Sequence, residues 1–471
     1  MNRGGEDVLK NIPRIVIAAT QSGAGKTTIV SGLLASLRAM GVVVQSYKIG
    51  PDYIDPGYHE LASGRAAHNL DTWLVPALSL NSIFAKTMES ADLAIIEGVM
   101  GLYDGGSNGI SSTAAIAKQL AAPVILVIDA KSMGDSAAAI ALGFREYDRD
   151  VNICGVLLNR VGSSSHETLL REAMARISMP VVGCIRRDTD LQLPERHLGL
   201  TPVSENAAER IIEKIGKAIG EQVSLPLIQA IAEAAQPLPT MVKETLVKKF
   251  KTCRIAVARD EAFTFYYPES LAVLADYGAE ITFFSPLHDV SLPIDVDGII
   301  IGGGFPEMFA SDLAKNTSLR EEIAVAAKRG MPVYAECGGL MYLTQSLTDF
   351  SGKAYAMAGV VPAKCVMHNK LQSIGYIEAE ALTDNLLCKQ GERLRGHEFH
   401  FSTMQVEKAN QASFPWAFIF RKKRTGAEYV AGFVNKTILA SYLHIHFAGN
   451  LPAAKRFTEK CIDYRLSRAS S

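Results

Sequence analysis

The stretch Arg14-Ile-Val-Ile-Ala-Ala-Thr-Gln-Ser-Gly-Ala-Gly-Lys-Thr-Thr28 begins with an apolar strand, continues through a loop of small residues and enters a helix. The loop ends in Gly-Lys-Thr, which is typical of loops that wrap nucleotide phosphates. Gly23 and Gly25 allow backbone N–H groups to turn towards phosphate oxygens. The N-terminus of the following helix attracts the same negative charge. This stretch therefore predicts a P-loop that binds ATP.

Further polar side chains are expected to complete this nucleotide site. Lys26 should reach the outer phosphates, the Thr27 hydroxyl should bind Mg²⁺, and Thr28 follows directly beside them. Asn159, at the end of a later strand, offers amide donors and acceptors to a base edge, although it could instead cap that strand. The loop departs from the consensus at Thr20, where glycine is usual, so a small-residue turn without a ligand is the alternative interpretation.

Apolar strands and helical patterns alternate along both halves of the chain. Strands that are apolar on both faces predict a parallel sheet covered by helices on each side, hence an α/β fold. The first series of strands is predicted at Arg14–Ala19, Val42–Ser46, Leu93–Ile96, Val124–Ile128 and Ile153–Leu158. The second is predicted at Arg254–Ala258, Glu280–Phe284, Gly298–Ile301 and Pro332–Ala335. We therefore predict domains at residues 12–235 and 253–465, joined by a linker at 236–252.

Length and composition limit the class of protein. A chain of 471 residues with 48% hydrophobic residues is expected to form two or three domains with sizeable cores. A net charge of −1 provides no electrostatic attraction for nucleic acid or an anionic membrane, so neither partner is predicted. The seven cysteines are scattered without a CxxC pair, which argues against disulfides and zinc and favours the reducing cytoplasm. The oligomeric state is left open.

A second polar cluster follows the next strand, where open α/β sheets place their ligands. Lys48, Asp52, Tyr53 and Asp55 lie close together in the sequence Tyr47-Lys-Ile-Gly-Pro-Asp-Tyr-Ile-Asp55. Two carboxylates and a lysine near a phosphate loop suit a metal ion and a charged substrate. The alternative is a polar loop interrupted by proline.

Two more carboxylates are predicted near the phosphates. Glu97 stands at the tip of an apolar strand, where a P-loop protein needs a second Mg²⁺ ligand. A charged side chain is rarely buried there unless it is paired or bound to a metal. Asp104 lies in a glycine-rich loop that should face the same pocket. Together with Thr27 and Asp52, Glu97 forms the predicted metal-binding set.

The C-terminal half contains a cysteine at a sharp turn. Cys337 follows a predicted strand and precedes two glycines and a helix, the geometry of a nucleophile elbow. The helix N-terminus is expected to lower the pKa of the thiol. Gly303 and Gly304 follow an earlier strand and are expected to bind substrate or form an oxyanion hole. Without these neighbours, a buried structural thiol would be the better interpretation.

Several histidines follow. His444 and His446 alternate near the end of a strand-like run, so that one can act as a base and the other can orient it. The cluster of His397, Glu398 and His400 could bind a metal, but a structural hydrogen-bonding or interdomain role is favoured, and its function is left open.

These motifs occur in an order that resembles the cobyrinic acid a,c-diamide synthase family, from about Ile12 to about Gly449. That family joins a dethiobiotin-synthetase-like ATPase to a class I glutamine amidotransferase domain. The resemblance is carried by the P-loop, Lys48–Asp55, Glu97-Gly98, Gly101–Asp104, Glu336–Gly339 and Ser441–His444.

The resemblance implies roles for the matching residues. Asp52, Tyr53, Asp55 and Asp104 are similar to residues that serve the substrate carboxylate and its phosphorylated intermediate. Cys337 corresponds to the glutaminase nucleophile and His444 to its base. His446 stands where most class I amidotransferases have the glutamate of their triad, which puts its orienting role in question.

The implied reaction uses ATP and Mg²⁺ to convert acetate side chains of a tetrapyrrole, cobyrinic acid, into amides with ammonia from glutamine. Alternatives within this class are a diamide synthase acting on nickel sirohydrochlorin and a cobyric acid synthase. A P-loop switch ATPase would share only the first part of the chain, and a peptidase-like hydrolase would share only the cysteine site.

Overall fold

The computed structural model describes residues 7–106, 109–188, 191, 193, 195–196, 199–200, 205–241 and 252–469. The chain divides into two compact units, Met1–Glu244 and Thr245–Ser471. Residues 242–251, which include the Lys-rich part of the predicted linker, lie outside the described residues. The earlier part of that linker contains a strand, Leu238–Met241, which pairs antiparallel with Asp7–Lys10.

The N-terminal unit contains a parallel sheet of seven strands. Its strands in chain order are β1 Asp7–Lys10, β2 Arg14–Ala19, β3 Val44–Ile49, β4 His68–Leu70, β5 Leu93–Glu97, β6 Val124–Asp129, β7 Ile153–Val161, β8 Val181–Arg186, β9 Glu195–Arg196, β10 Gly199–Leu200 and β11 Leu238–Met241. The large sheet has the order β4-β3-β5-β2-β6-β7-β8, with every neighbouring pair parallel. The carboxyl ends of β2, β3, β5 and β7 therefore share one edge.

Helices cover this sheet. They are α1 Lys26–Ala39, α2 Ile54–Ser63, α3 Ala77–Thr87, α4 Thr113–Gln119, α5 Ser136–Tyr147, α6 Ser164–Arg176, α7 Glu205–Gln222 and α8 Leu225–Glu233. Helix α1 begins at the P-loop and packs closely on α7. A Cβ atom added to Gly32 would lie 2.5 Å from Ile219 Cγ1, so only glycine allows this close approach of the two helices. The packing holds the helix that starts at the phosphate loop in a fixed direction.

The C-terminal unit combines a mixed sheet of ten strands with a smaller sheet of four. Its strands are β12 Cys253–Ala258, β13 Ala279–Phe284, β14 Gly298–Ile301, β15 Val333–Glu336, β16 Thr344–Thr348, β17 Ala354–Ala356, β18 Val361–Met367, β19 Ser373–Ala381, β20 Arg393–His400, β21 Ser402–Gln405, β22 Trp416–Lys422, β23 Glu428–Asn435, β24 Ile438–Ser441 and β25 His444–Ile445. The orders are β13-β12-β14-β15-β24-β23-β22-β19-β20-β25 and β17-β16-β18-β21.

The parallel part of the larger sheet runs from β13 to β24. Its helices are α9 Pro268–Asp276, α10 Ala310–Lys315, α11 Thr317–Lys328, α12 Gly338–Leu343 and α13 Leu451–Ala469, and 3-10 turns lie at Pro306–Phe309, Lys408–Asn410 and Phe447–Gly449. The predicted fold class is confirmed for both halves. The strands from β16 to β23 were not predicted, because several of them alternate buried and exposed residues and lack the continuous apolar runs of the central parallel strands.

Candidate active sites

The P-loop joins β2 to α1. Gly23 and Gly25 have φ values of 76° and 92°, in the left-handed region that favours glycine. A Cβ atom on Gly25 would lie 2.5 Å from Asn159 Nδ2, so this glycine also leaves room for the asparagine. Lys26 Nζ donates to the carbonyl of Met100 at 2.5 Å. Burial lowers the pKa of Lys26 to about 8, which leaves an ammonium group that a nearby phosphate would strongly stabilise.

The predicted lysine and carboxylates meet beside this loop. Lys48 Nζ lies 2.5 Å from Asp55 Oδ2 and 2.8 Å from Glu97 Oε1. The Thr27 hydroxyl donates to the same Glu97 oxygen at 2.8 Å and lies 3.2 Å from Asp55 Oδ2. Lys48 and Glu97 are register partners on β3 and β5, so the sheet itself holds them side by side. Four predicted site residues from three segments thus form one cluster, which we call the lysine–carboxylate cluster.

Glu97 is fully buried, and a residue that sequence reasoning missed holds its second oxygen. His59 Nε2 lies 2.6 Å from Glu97 Oε2, and both side chains are inaccessible to solvent. Burial by itself raises the pKa of Glu97, but Lys48 and His59 together hold it below its ordinary value. His59 lies four residues after Asp55 on α2, a spacing that places both on one helical face. This spacing was the feature of the sequence that could have indicated His59 as a member of the site.

Asp52 and Tyr53 precede α2 at the edge of the same cluster. Asp52 Oδ2 lies 4.0 Å from Lys48 Nζ, and burial and the Asp55 carboxylate raise the pKa of Asp52 above its ordinary value. Tyr53 is half-buried at the N-terminus of α2. Asn69, which was not predicted, donates to the carbonyl of Asp52 at 2.7 Å and so stabilises this turn.

Asp104 lies in the loop after β5 and is exposed. Its Oδ2 accepts a hydrogen bond from the backbone N–H of Gly101 at 3.1 Å. The same loop supplies the Met100 carbonyl to Lys26, and the negative charge of Asp104 is one of the groups that favour protonated Lys26. The structure therefore places Asp104 near the P-loop lysine, in a position open to an incoming ligand.

A cavity of about 270 Å³ adjoins the P-loop on the other side. Asn159 Nδ2 donates to the carbonyl of Ala24 at 2.8 Å, and Arg160 donates to that of Gly23 at 3.0 Å. The cavity has a mixed basic and apolar lining, which suits the base and ribose of a nucleotide: Gly25, Thr28, Ile29, Lys131, Asn159, Arg160, Ile185, Arg186, Arg187, Asp188, Leu191 and Ile219. The predicted Thr28 and Asn159 both belong to it.

The donor set of the lysine–carboxylate cluster is compatible with Mg²⁺. The Thr27 hydroxyl, Asp55 and Glu97 contribute only oxygen atoms, the type of ligand that Mg²⁺ prefers. Among the described residues, no three His, Cys, Asp or Glu side chains are grouped to hold a metal ion. A Mg²⁺ ion would therefore depend on Thr27, water and nucleotide phosphate oxygens for its remaining ligands.

In the C-terminal unit, Cys337 occupies a strained turn between β15 and α12. Its φ and ψ are 47° and −101°, an unusual conformation for a residue with a side chain. The Cys337 N–H donates to the carbonyl of Ser441 at 2.7 Å, and the side chain is 5% exposed. The strand–turn–helix geometry has the form predicted for a nucleophile elbow.

The glycine loop after β14 packs against this elbow. A Cβ atom on Gly338 would lie 3.1 Å from the backbone N of Gly304, and one on Gly303 would lie 2.5 Å from His444 Cε1. The Gly302 N–H donates to the hydroxyl of Tyr266 at 2.8 Å. The structure thus brings the predicted glycines, the helix of the nucleophile and the predicted base together.

The sequence predicted a low pKa for the Cys337 thiol, but the structure indicates a raised one. The N–H of Gly338 lowers the pKa of Cys337, as a helix start should, but burial and the carboxylate of Glu307 outweigh it and raise the pKa above its ordinary value. A neutral resting thiol needs a base that removes its proton during attack on a substrate.

His444 is buried beside Glu336, a carboxylate to which the sequence pattern assigned no role. Its Nδ1 lies 3.4 Å from Oε2 of Glu336, the residue directly before Cys337. His397 stacks on the His444 ring with centroids 4.9 Å apart and an interplanar angle of 16°. Burial and His444 lower the pKa of His397 well below its ordinary value, so it is neutral.

His446 contacts other groups on its side of the strand. Its Nε2 lies 3.7 Å from Glu269 Oε2, its Nδ1 accepts from the N–H of Ala448 at 3.2 Å, and Tyr267 stacks on its ring. The predicted orienting role of His446 stays a prediction.

The neighbouring polar cluster is hydrogen-bonded within the protein. Glu398 Oε2 accepts from Ser373 at 2.8 Å and from the hydroxyl of Tyr429, while His400 Nε2 lies 3.4 Å from Glu398 Oε1. These contacts fit the structural role that was favoured for His397, Glu398 and His400.

A phosphate-binding loop with a lysine–carboxylate cluster, together with a thiol elbow beside a buried histidine, defines the class: an ATP-dependent amidating ligase that uses glutamine. The model of the CobQ/CobB/MinD/ParA nucleotide binding domain family matches residues 15–200, and the model of the CobB/CobQ-like glutamine amidotransferase domain family matches residues 254–452. Within the described residues, no helix is long and apolar enough to cross a membrane.

Full-length relatives identify the family. A cobyrinate a,c-diamide synthase of Dehalococcoides mccartyi is 45% identical and covers 96% of this chain and 99% of its own. A hydrogenobyrinate a,c-diamide synthase of Streptomyces coelicolor is 40% identical over 96% of this chain and 98% of its own. A cobyrinate a,c-diamide synthase of Caldanaerobacter subterraneus is 44% identical over 95% of this chain and 98% of its own. The chain belongs to the cobyrinate a,c-diamide synthase family.

Proposed function

We propose that this enzyme amidates the a and c acetate side chains of cobyrinic acid in cobalamin biosynthesis, with ATP and glutamine as co-substrates. The observation that carries the proposal is the lysine–carboxylate cluster, where Lys48, Asp55, Glu97 and the P-loop residue Thr27 meet. Such a cluster can present a carboxylate substrate to the outer phosphate of ATP. The names of the full-length relatives support cobyrinate as the substrate.

Activation of the acetate is the first chemical task, because a carboxylate is a poor electrophile. In this proposal Lys26 neutralises charge on the transferred phosphoryl group, which passes from ATP to an acetate oxygen and forms an acyl phosphate. Lys48 and Tyr53 bind the substrate, while Asp52, Asp55 and Asp104 orient the acetate and later accept a proton from the attacking ammonia. Gly23, Gly25, Thr28 and Asn159 hold the nucleotide.

Thr27 and Glu97, with Asp52 or Asp55, would hold Mg²⁺, which supplies charge neutralisation at the phosphates when it is bound. The ion pair between Lys48 and Glu97 keeps the carboxylate ionised in a fully buried position, which is the state a metal ligand needs. We also propose the cytoplasm as the location, because all seven cysteines are free thiols.

Nitrogen comes from glutamine in the C-terminal unit. The Cys337 thiol gives its proton to His444 as its sulfur bonds to the carboxamide carbon. The carbon–nitrogen bond then breaks, His444 returns the proton to the departing ammonia, and water hydrolyses the thioester to glutamate. Gly303 and Gly304 are proposed to bind glutamine and stabilise the oxyanion. Ammonia then displaces phosphate from the acyl phosphate.

The test is to incubate the purified chain with ATP, Mg²⁺, glutamine and single tetrapyrroles. Cobyrinic acid, hydrogenobyrinic acid and nickel sirohydrochlorin are compared, and mono- and diamides are followed by mass spectrometry. We expect cobyrinic acid to be converted first into a monoamide and then into a diamide. Amidation of only nickel sirohydrochlorin, or glutamine hydrolysis without any amidated tetrapyrrole, would contradict the proposed substrate.

A further inference from the structure

The glutaminase site raises the question of what orients His444. A base that accepts a proton through Nε2 must carry its own proton on Nδ1, and a hydrogen-bond acceptor at Nδ1 selects that tautomer. The residue two positions after the base, where an orienting group was expected, is His446, which contacts Glu269, Tyr267 and the N–H of Ala448.

A carboxylate lies where such an acceptor is needed. Glu336 Oε2 is 3.4 Å from His444 Nδ1. The other oxygen, Oε1, accepts from the hydroxyl of Tyr334 at 2.5 Å and from the N–H of Ile445 at 3.2 Å. Two donors therefore anchor one oxygen and leave the second directed at the imidazole. Glu336 is only 8% exposed, so little water competes for this contact.

We propose that Glu336 is the positioning carboxylate of the glutaminase site: it holds His444 in the tautomer that accepts the proton of Cys337. The inference rests on the proposed hydrolysis of glutamine at Cys337. Glu336 stands next to the nucleophile in sequence, and its strand β15 pairs with β24, which leads directly into His444. One strand end thus provides both the nucleophile and the group that orients its base.

The stacked ring of His397 contributes to the same arrangement. It covers one face of His444 and its Nε2 lies 3.0 Å from the hydroxyl of Tyr267. Because His397 is neutral, it adds no positive charge that would oppose protonation of His444. Titratable carboxylates near the reacting pair include Glu336 at His444, and Glu307 and Glu398 near the thiol. Burial raises the pKa of Glu307 to about 7.

The experiment compares Glu336→Gln with wild type in the full-length enzyme. Glutamine keeps the size of the side chain but removes the negative charge. We expect kcat for glutamine hydrolysis to fall by about 10²–10⁴-fold, the usual contribution of general base catalysis, with little change in KM for glutamine. The acidic limb of the pH profile should also move, because the variant removes the negative charge that lies 3.4 Å from the imidazole.

Three controls separate positioning from folding. Amidation supported by ammonium salt should proceed in Glu336→Gln at the wild-type rate, since it bypasses Cys337. If that activity is also lost, mass-resolved alkylation of Cys337 by iodoacetamide across pH still reports the thiol–imidazole pair without any substrate. The matched variant Glu392→Gln removes a half-exposed carboxylate of the same unit and should leave the pH profile unchanged.

The assignment is overturned if Glu336→Gln hydrolyses glutamine within twofold of wild type with the same acidic limb. It is also overturned if His446→Gln moves that limb and Glu336→Gln does not, because the orienting group would then be His446. Loss of amidation with wild-type glutamine hydrolysis would instead count against the proposed synthetase function.

Discussion

Replacing Lys48 by methionine tests whether this lysine holds the lysine–carboxylate cluster together. Lys48 Nζ is 2.5 Å from Asp55, 2.8 Å from Glu97 and 4.0 Å from Asp52, and its side chain is 5% exposed. Methionine keeps much of the length of the side chain but leaves the buried carboxylates without this partner.

Breaking a buried ion pair costs about 3–5 kcal/mol, because the remaining charge is uncompensated. For a unit of this size each kcal/mol lowers Tm by about 2–4 °C, so we expect a loss of about 6–20 °C at pH 7. Lys48 holds the pKa of Glu97 below its ordinary value although burial raises it. That stabilisation is present above the unfolded pKa of about 4.3 and is lost as the pH falls through the lower folded pKa.

The assay is thermal unfolding followed by circular dichroism between pH 4 and 8. The difference in Tm between Lys48→Met and wild type should be largest near pH 7. It should shrink towards pH 4, because without Lys48 burial raises the pKa of Glu97, and protonation then removes the uncompensated buried charge of the variant. Lys118→Met is the matched control, because its ion pair with Asp148 has side chains 40% and 25% exposed and should contribute less than about 1 kcal/mol. Equal losses in the two variants, or a loss independent of pH, would refute the reasoning.

The other predictions concern activity. Cys337→Ser should abolish amidation with glutamine but retain it with ammonium salt; continued use of glutamine would mean that the nucleophile is misassigned. Lys26→Ala should reduce amidation from both nitrogen sources by at least about 10²-fold, since activation precedes ammonia attack, and normal turnover with ammonia would contradict the ATP site. Glu97→Gln should raise the Mg²⁺ requirement for both amidations, whereas Asp104→Asn should leave ATP affinity nearly intact, slow turnover and let the monoamide accumulate. Both are measured by mass spectrometry of the mono- and diamides while ATP and Mg²⁺ are titrated, and the opposite pattern would reverse these two roles. Gly303→Ala should impair only the glutamine-dependent reaction, because its Cβ atom would meet the ring of the proposed base.

Local patterns were sufficient to predict much of both sites. The P-loop can be predicted from consecutive residues, because a strand, a small-residue loop and Gly-Lys-Thr specify the local backbone without any contribution from distant segments. The predicted strand Arg14–Ala19 agrees with β2 at both ends. Cys337 was likewise recognisable, because a strand, a cysteine and two glycines specify a sharp turn locally.

The partners of buried charges depended instead on which segments the sheet brings together. Glu97 and His59 are 38 residues apart in sequence, and the backbone of Ile445 reaches Glu336 across 109 residues. Periodicity predicts that β15 and β24 are strands but does not predict that they are neighbours, since strand order follows from packing of the whole domain. Sequence patterns were enough to predict the fold class and many residues of the two sites, but not the roles of His59 and Glu336. The contact between Glu336 and His444 depends on the tertiary structure, because long-range packing and burial bring the carboxylate to its partner.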